Sequence, residues 1–151
     1  MIQRVQSLYL LAVFILCIAC MCFSTGRFVA ESGDVVAVLN NLTLEVGDQV
    51  LYKPWAMFAE LLLVVILTFF IIFTYKKRMR QIRMAIFTSI LLMGWYVTYG
   101  AFIYFLCQDL NASFRPTLSA AFPLVALILN YLAIRAIGAD EFLVRSLDRL
   151  R

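Results

Sequence analysis

The sequence predicts an all-α integral membrane protein, a bundle of four transmembrane helices with both chain ends in the cytoplasm. Hydrophobic residues make up 64% of the 151, more than a soluble domain of this length can bury. They form four runs of about twenty residues, the length that crosses the ~30 Å hydrocarbon core as a helix. A cluster of cations separates the second run from the third and fixes the orientation of all four.

The predicted spans are residues 5–23, 55–75, 84–106 and 118–137. The segments between them are an external loop at 24–54, a cytoplasmic turn at 76–83 and a second external loop at 107–117. A cytoplasmic tail, 138–151, completes one membrane domain that covers residues 1–151. The first run could also begin a signal peptide, but no cleavage site follows it, so we interpret it as an uncleaved helix.

The orientation follows from the positive charges. The turn at 76–83 carries five cations, and positively charged loops resist translocation. With both chain ends inside, the cytoplasmic segments hold ten of the thirteen Lys and Arg residues. This asymmetry predicts a multi-pass membrane protein with both chain ends in the cytoplasm.

The longer external loop contains two β-prone segments, 35–39 and 42–46, on either side of Asn40 and Asn41. Asn tolerates positive φ, so the pattern is typical of a small β-hairpin. A lone hairpin is marginally stable in water. We therefore expect it to pack on the helix ends or on a partner.

The tail is predicted to form a separate, short amphipathic helix. Gly138 ends the fourth span, and Asp140 and Glu141 begin a new helix with acidic residues at its N-terminus. Leu143, Leu147 and Leu150 then share one face. Such a helix lies on the membrane surface or against a partner.

The candidate contacts for anionic lipid headgroups or for a protein partner are the charged residues of the turn and the tail. They are Lys76, Lys77, Arg78, Arg80, Arg83, Asp140, Glu141, Arg145, Asp148, Arg149 and Arg151.

Composition excludes several classes of function. The chain has no histidine, the commonest general base and metal ligand, and we predict no enzyme activity, cofactor or metal site. The net charge of +4 does not indicate a nucleic-acid partner, because the cations cluster at the predicted membrane edges.

Three stretches carry a resemblance to a known family: residues 1–11, residues 73–78 together with 81–83, and residues 140–151. They resemble short four-span inner-membrane proteins of Bacteroidota that are described only as a domain of unknown function. Gly138 and Ala139 stand where a more basic pair is expected. The resemblance implies the four-span fold and the bacterial inner membrane, and it implies no activity.

Two polar residues inside predicted spans are candidate functional or helix-joining residues. Glu60 is the only acid there, and burying a carboxylate in a bilayer is costly, so such residues often have a function. A proton or cation site, or an anchor for a partner's arginine, is one interpretation; contact with headgroups or with Lys53 is the other. Asn130 is expected to hydrogen-bond a neighbouring helix.

The cysteines raise one alternative. Cys17 and Cys20 form a C-x-x-C motif near the outer end of the first span, and Cys107 follows the third span. Small membrane oxidoreductases place such a pair beside a quinone. The other interpretation is that these cysteines are small apolar fillers.

Three hypotheses of function follow. The first is a non-enzymatic accessory or scaffold subunit that docks a protein partner, or a second copy of itself, through the basic turn and the tail. The second is a quinone-linked thiol oxidoreductase that uses Cys17, Cys20 and Cys107. The third is a small oligomeric transporter or channel that uses Glu60.

Overall fold

The structure is a computed structural model that describes residues 2–52, 54–74 and 78–149, apart from the side chains of 2–5, 145 and 147–149. Four long helices make up most of it. They are α1 (Ile2–Cys22), α2 (Trp55–Phe73), α3 (Arg78–Leu110) and α4 (Phe122–Arg149). At 1.5 Å per residue α2 is about 28 Å long and α3 about 50 Å, so α3 extends well beyond its neighbour.

The helices pack side by side in a ring. Helix α1 contacts α2 and α4, and α3 contacts the same two helices from the other side. Each turns one stripe inward; on α2 this stripe is Met57, Leu61, Val64, Thr68 and Ile71, the spacing that puts residues on one helix face. The outer faces are apolar as well, which is the pattern of helices that meet lipid.

The predicted all-α fold is wrong, because the chain also forms a five-stranded antiparallel sheet at one end of the helices. The strands are β1 (Gly26–Val29), β2 (Val35–Leu39), β3 (Leu44–Val46), β4 (Gln49–Leu51) and β5 (Ser113–Pro116), in the order β4-β3-β2-β1-β5. The predicted hairpin corresponds to β2 and β3 alone. Strand β5 comes from the α3–α4 connection, which we had predicted to be a plain loop.

Two glycines allow the tight turns that connect neighbouring strands of the sheet. Gly33 (φ +91°) and Gly47 (φ +56°) adopt the left-handed conformation in the β1–β2 and β3–β4 turns. In the β2–β3 turn, neither Asn40 nor Asn41 has positive φ. The reason given for that hairpin was therefore wrong, although its position was right. Asn41 has another task, described below.

Helix α4 differs from the prediction at both ends. A 3₁₀ turn, Leu118–Ala121, precedes it, and Pro123 occupies its first turn, where a missing N–H costs little. At the other end α4 runs without a break through Gly138 to Arg149. The predicted separate tail helix is wrong, since residues 138–149 continue α4.

Candidate functional sites

Two of the predicted contact residues pair with each other. Arg78 Nη1 lies 3.0 Å from Asp140 Oδ2 and donates a 3.1 Å hydrogen bond to the Asp140 carbonyl oxygen. Both side chains are mostly buried, with 21% and 14% of their surface exposed. The pair joins the first residue of α3 to the last part of α4. It therefore fixes these helix ends relative to each other.

Two buried glutamines support the same end of the molecule. In the last turn of α2, Gln81 Nε2 donates to the carbonyl oxygen of Ile71 (3.2 Å), which also accepts from the Thr74 N–H that caps the helix. Gln6 Nε2 donates to the carbonyl oxygen of Ala136 (3.0 Å). The sequence reasoning missed both. The sequence does indicate that Gln81 is buried, because it lies on the same helix face as the buried residues Ala85, Thr88 and Leu92 of α3.

A groove of about 260 Å³ opens between the start of α3 and the end of α4. Its lining consists of Met79, Ile82, Gly138, Glu141 and Phe142. A Cβ at Gly138 would meet no atom within 4 Å, so the glycine leaves room in the groove. This groove was not predicted.

The remaining predicted contacts divide into two groups. Arg80 and Arg83 are exposed on α3. Lys76, Lys77 and Arg151 lie outside the described residues, as do the side chains of Arg145, Asp148 and Arg149. The roles predicted for this second group stay predictions.

Glu60 lies in the crease between α2 and α3 at the end nearer the sheet. Its Oε1 accepts a 3.0 Å hydrogen bond from Thr98 Oγ1, and its Oε2 is buried without a hydrogen-bond partner among the described residues. A Cβ at Gly94 would stand 4.0 Å from Oε1. Gly94 and Thr98 thus form the surface on α3 that receives the carboxylate.

Asn130 is fully buried and joins α4 to α3. Its Nδ2 donates to the Ala85 carbonyl oxygen (2.8 Å) and to Ser89 Oγ (2.9 Å). Its Oδ1 has no hydrogen-bond partner among the described residues. The contacts are those of a helix-joining residue.

The three candidate redox cysteines are not brought together. Cys17 and Cys20 are both 0% exposed in the core, and Cys107 is partly exposed near the far end of α3. Cys20 is linked through Asn41 to Trp95 on α3. Cys107 follows Trp95 on the same helix by twelve residues, or about 18 Å. Disulfide exchange between Cys107 and Cys20 would therefore need a large movement of the chain.

Asn41 is the residue that joins the sheet to the helices, and sequence reasoning assigned it only to a turn. Its Nδ2 donates to the Cys20 carbonyl oxygen at the end of α1 (2.6 Å), and its Oδ1 accepts from Trp95 Nε1 (3.1 Å). Tyr99 stacks on Trp95, with ring centroids 4.9 Å apart, and donates to the Thr25 carbonyl oxygen (2.9 Å). Side chains of α3 therefore hold both β2–β3 and the start of β1.

Comparison with known proteins identifies a family. A family model described as Domain of unknown function (DUF4293) matches residues 2–150. The chain belongs to this family. No curated protein matches it.

This DUF4293 chain has the helices of a membrane protein. Three segments of the described residues are long and apolar enough to cross a bilayer: Trp55–Phe73, Arg78–Leu110 and Leu118–Val144. Gln6–Cys22 is a shorter apolar helix. These lengths and compositions indicate a membrane protein, and the ring of helices is the part that would face lipid.

Proposed function

We propose that the protein is an accessory or scaffold subunit of the bacterial inner membrane, with four spans and both chain ends in the cytoplasm. In this proposal the sheet lies outside, and the Arg78–Asp140 end lies inside. The subunit docks a partner protein through the end of α4. The observation that carries the proposal is the unbroken course of α4 past Gly138.

The end of α4 is suited to docking. Residues 141–149 add nine residues, about 14 Å of helix, beyond the point where Asp140 is held by Arg78. Phe142, Leu143 and Val144 are exposed there, Phe142 to 74%. An apolar cluster on a helix that projects from the membrane favours helix recognition by another protein.

A pull-down with matched variants tests docking. Tagged protein is purified from its own host in mild detergent and its companions are quantified by mass spectrometry. We expect a stoichiometric companion that Leu143→Ser with Val144→Ser reduces at least tenfold. Val35→Ser removes a similarly exposed apolar side chain from β2, and should leave the companion in place. A protein that comes out alone, or equal loss with both variants, contradicts docking at α4.

Cysteine labelling tests the orientation separately. Val35→Cys and Ala139→Cys are made in a chain whose Cys22 and Cys107 are replaced by serine. A membrane-impermeant maleimide should label residue 35 in cells with a permeabilised outer membrane, and residue 139 only after the inner membrane is opened. The reverse pattern would invert the proposed topology.

One observation favours a second function, a transporter or channel. The unpartnered Oε2 of Glu60 could accept a proton or a cation within the α2–α3 crease. Glu60→Gln should then abolish ion flux in proteoliposomes, whereas Asn130→Ala should not. Unchanged flux in the Glu60 variant would remove this alternative. The thiol oxidoreductase finds no such support, because Cys17 and Cys20 are closed off from solvent.

A further inference from the structure

We propose that the crease between α3 and α4 at the inner end binds an anionic phospholipid, with Arg83 and Arg135 on either side of its phosphate. This binding site requires that the helices cross the bilayer. It needs no partner protein, so it goes beyond the docking function.

The two arginines lie at the same height on neighbouring helices. Helices α3 and α4 are antiparallel, and the Arg78–Asp140 pair aligns the start of α3 with residue 140 of α4. Arg83 follows Arg78 by five residues, and Arg135 precedes Asp140 by five. The bond from Asn130 to the Ala85 carbonyl oxygen confirms this register further along. Both Cα atoms thus stand about 7.5 Å nearer the bilayer centre than the ion pair.

Each arginine also lies on the same helix face as a residue that lines the groove. Met79 and Arg83 are four residues apart on α3, and Arg135 and Gly138 are three apart on α4, spacings that place side chains on one helix face. Met79 and Gly138 both line the groove. The groove is therefore flanked by one arginine from each helix on its membrane side.

Neither arginine is neutralised within the part of the chain that the structure describes. Both are exposed, and no hydrogen bond or ion pair joins either of them to another described residue. At this depth their side chains extend toward the headgroups to keep the charge hydrated. An anion held between the two helices would be attracted by both positive charges.

The charged and apolar side chains around the crease favour an anionic phospholipid as the ligand. Guanidinium groups bind phosphate oxygens in a bidentate manner, and basic pockets between membrane helices on the cytoplasmic side bind anionic headgroups. The groove adds apolar contacts from Met79, Ile82 and Phe142, suited to the glycerol and the first acyl carbons. Free phosphate would contact only the two arginines. A phospholipid would contact the arginines through its phosphate and the apolar groove through its glycerol and first acyl carbons.

Native mass spectrometry of the delipidated full-length protein tests the site, with phosphatidylglycerol, phosphatidylcholine or inorganic phosphate added. We expect phosphatidylglycerol to bind at least tenfold more tightly than phosphatidylcholine, and inorganic phosphate to compete weakly. Arg83→Gln with Arg135→Gln should remove this preference. Gly138→Leu should also weaken binding at least fivefold, because its side chain fills the groove while every charge stays in place.

Two controls make the result specific. Ala139→Leu adds the same side chain at the next, exposed position, and Arg115→Gln removes one exposed cation at the sheet end. Both should bind phosphatidylglycerol like the unaltered protein. Equal binding of the two lipids, competition by inorganic phosphate at the concentration of the lipid, or equal loss in all variants would overturn the proposal. Unaltered binding in Gly138→Leu would place the lipid elsewhere.

Discussion

The two ends of the helix ring are built differently. At one end the sheet covers the helices, and fully buried Phe28, Leu39 and Asn41 fill the joint between sheet and helices. At the opposite end the helices are held by three polar contacts, from Arg78, Gln81 and Gln6, with an open groove beside them. The sheet end is thus packed as a core, and the Arg78–Asp140 end leaves surface free. We therefore expect the largest losses of stability from substitutions at the sheet end.

The largest expected effect on stability belongs to the joint between the sheet and the helices. Asn41→Ala leaves the Trp95 indole N–H and the Cys20 carbonyl oxygen without the partner they have now. Each such group costs roughly 1–3 kcal/mol, so we expect about 3 kcal/mol less free energy of unfolding. Titration with SDS from a mild detergent measures it.

The neighbouring asparagine is a matched control for that experiment. Asn40 Nδ2 bonds Thr43 Oγ1 (3.1 Å) and Glu45 Oε1 (2.9 Å), largely at the surface. Water replaces such partners readily, so Asn40→Ala should cost under about 1 kcal/mol. Equal effects of the two substitutions would show that the joint is not a closed core.

A smaller effect is expected at Gly26, where β1 passes under Phe114. A Cβ at this position would overlap the Phe114 ring, whose centroid is 5.1 Å from that of Phe28. Gly26→Ala should destabilise the protein by about 1–3 kcal/mol, the usual range for an overpacked core. Adding Phe114→Leu should recover part of the loss. If Gly26→Ala alone is neutral, the β1–β5 contact is looser than the structure shows.

The Arg78–Asp140 ion pair should contribute less to stability. Arg78 and Asp140 are each mostly buried but remain near solvent, and partly screened pairs contribute about 1 kcal/mol. A double-mutant cycle with Arg78→Gln and Asp140→Asn should give a coupling free energy of that size. Loss of one partner should cost more than loss of both, because a single charge would be left partly buried. Additive effects would mean that the pair does not hold the two helices.

The sequence predicted features that depend on local periodicity and charge. The apolar span at 55–75 and the hairpin at 35–46 are of this kind, since each is encoded by residues close together in the sequence. The sheet as a whole was missed because β5 pairs with β1 across more than eighty residues, and Ser113–Pro116 carries no strand pattern of its own. Tertiary contact, not propensity, makes it a strand.

The candidate site residues also have tertiary contacts that local sequence patterns do not encode. Glu60 and Asn130 stood out because polar residues are rare in apolar runs, but their partners on α3 could not be read from spacing. Gly138 misled the prediction in the opposite way. A glycine followed by Asp140 and Glu141 has the signature of one helix ending and another beginning. Contacts to Arg78 and Gln6 on either side keep α4 continuous there.

The smallest expected effect has the opposite sign and comes from that same glycine. A Cβ at Gly138 would meet open space, whereas one at Gly26 would meet a ring. Since Gly is less favourable than Ala inside a helix by about 1 kcal/mol, Gly138→Ala should stabilise the protein by about 0.5–1 kcal/mol. SDS titration of the two Gly→Ala variants side by side measures this. A loss of stability at 138 would mean that the Arg78–Asp140 end is as closely packed as the sheet end, and would remove the basis for a groove there.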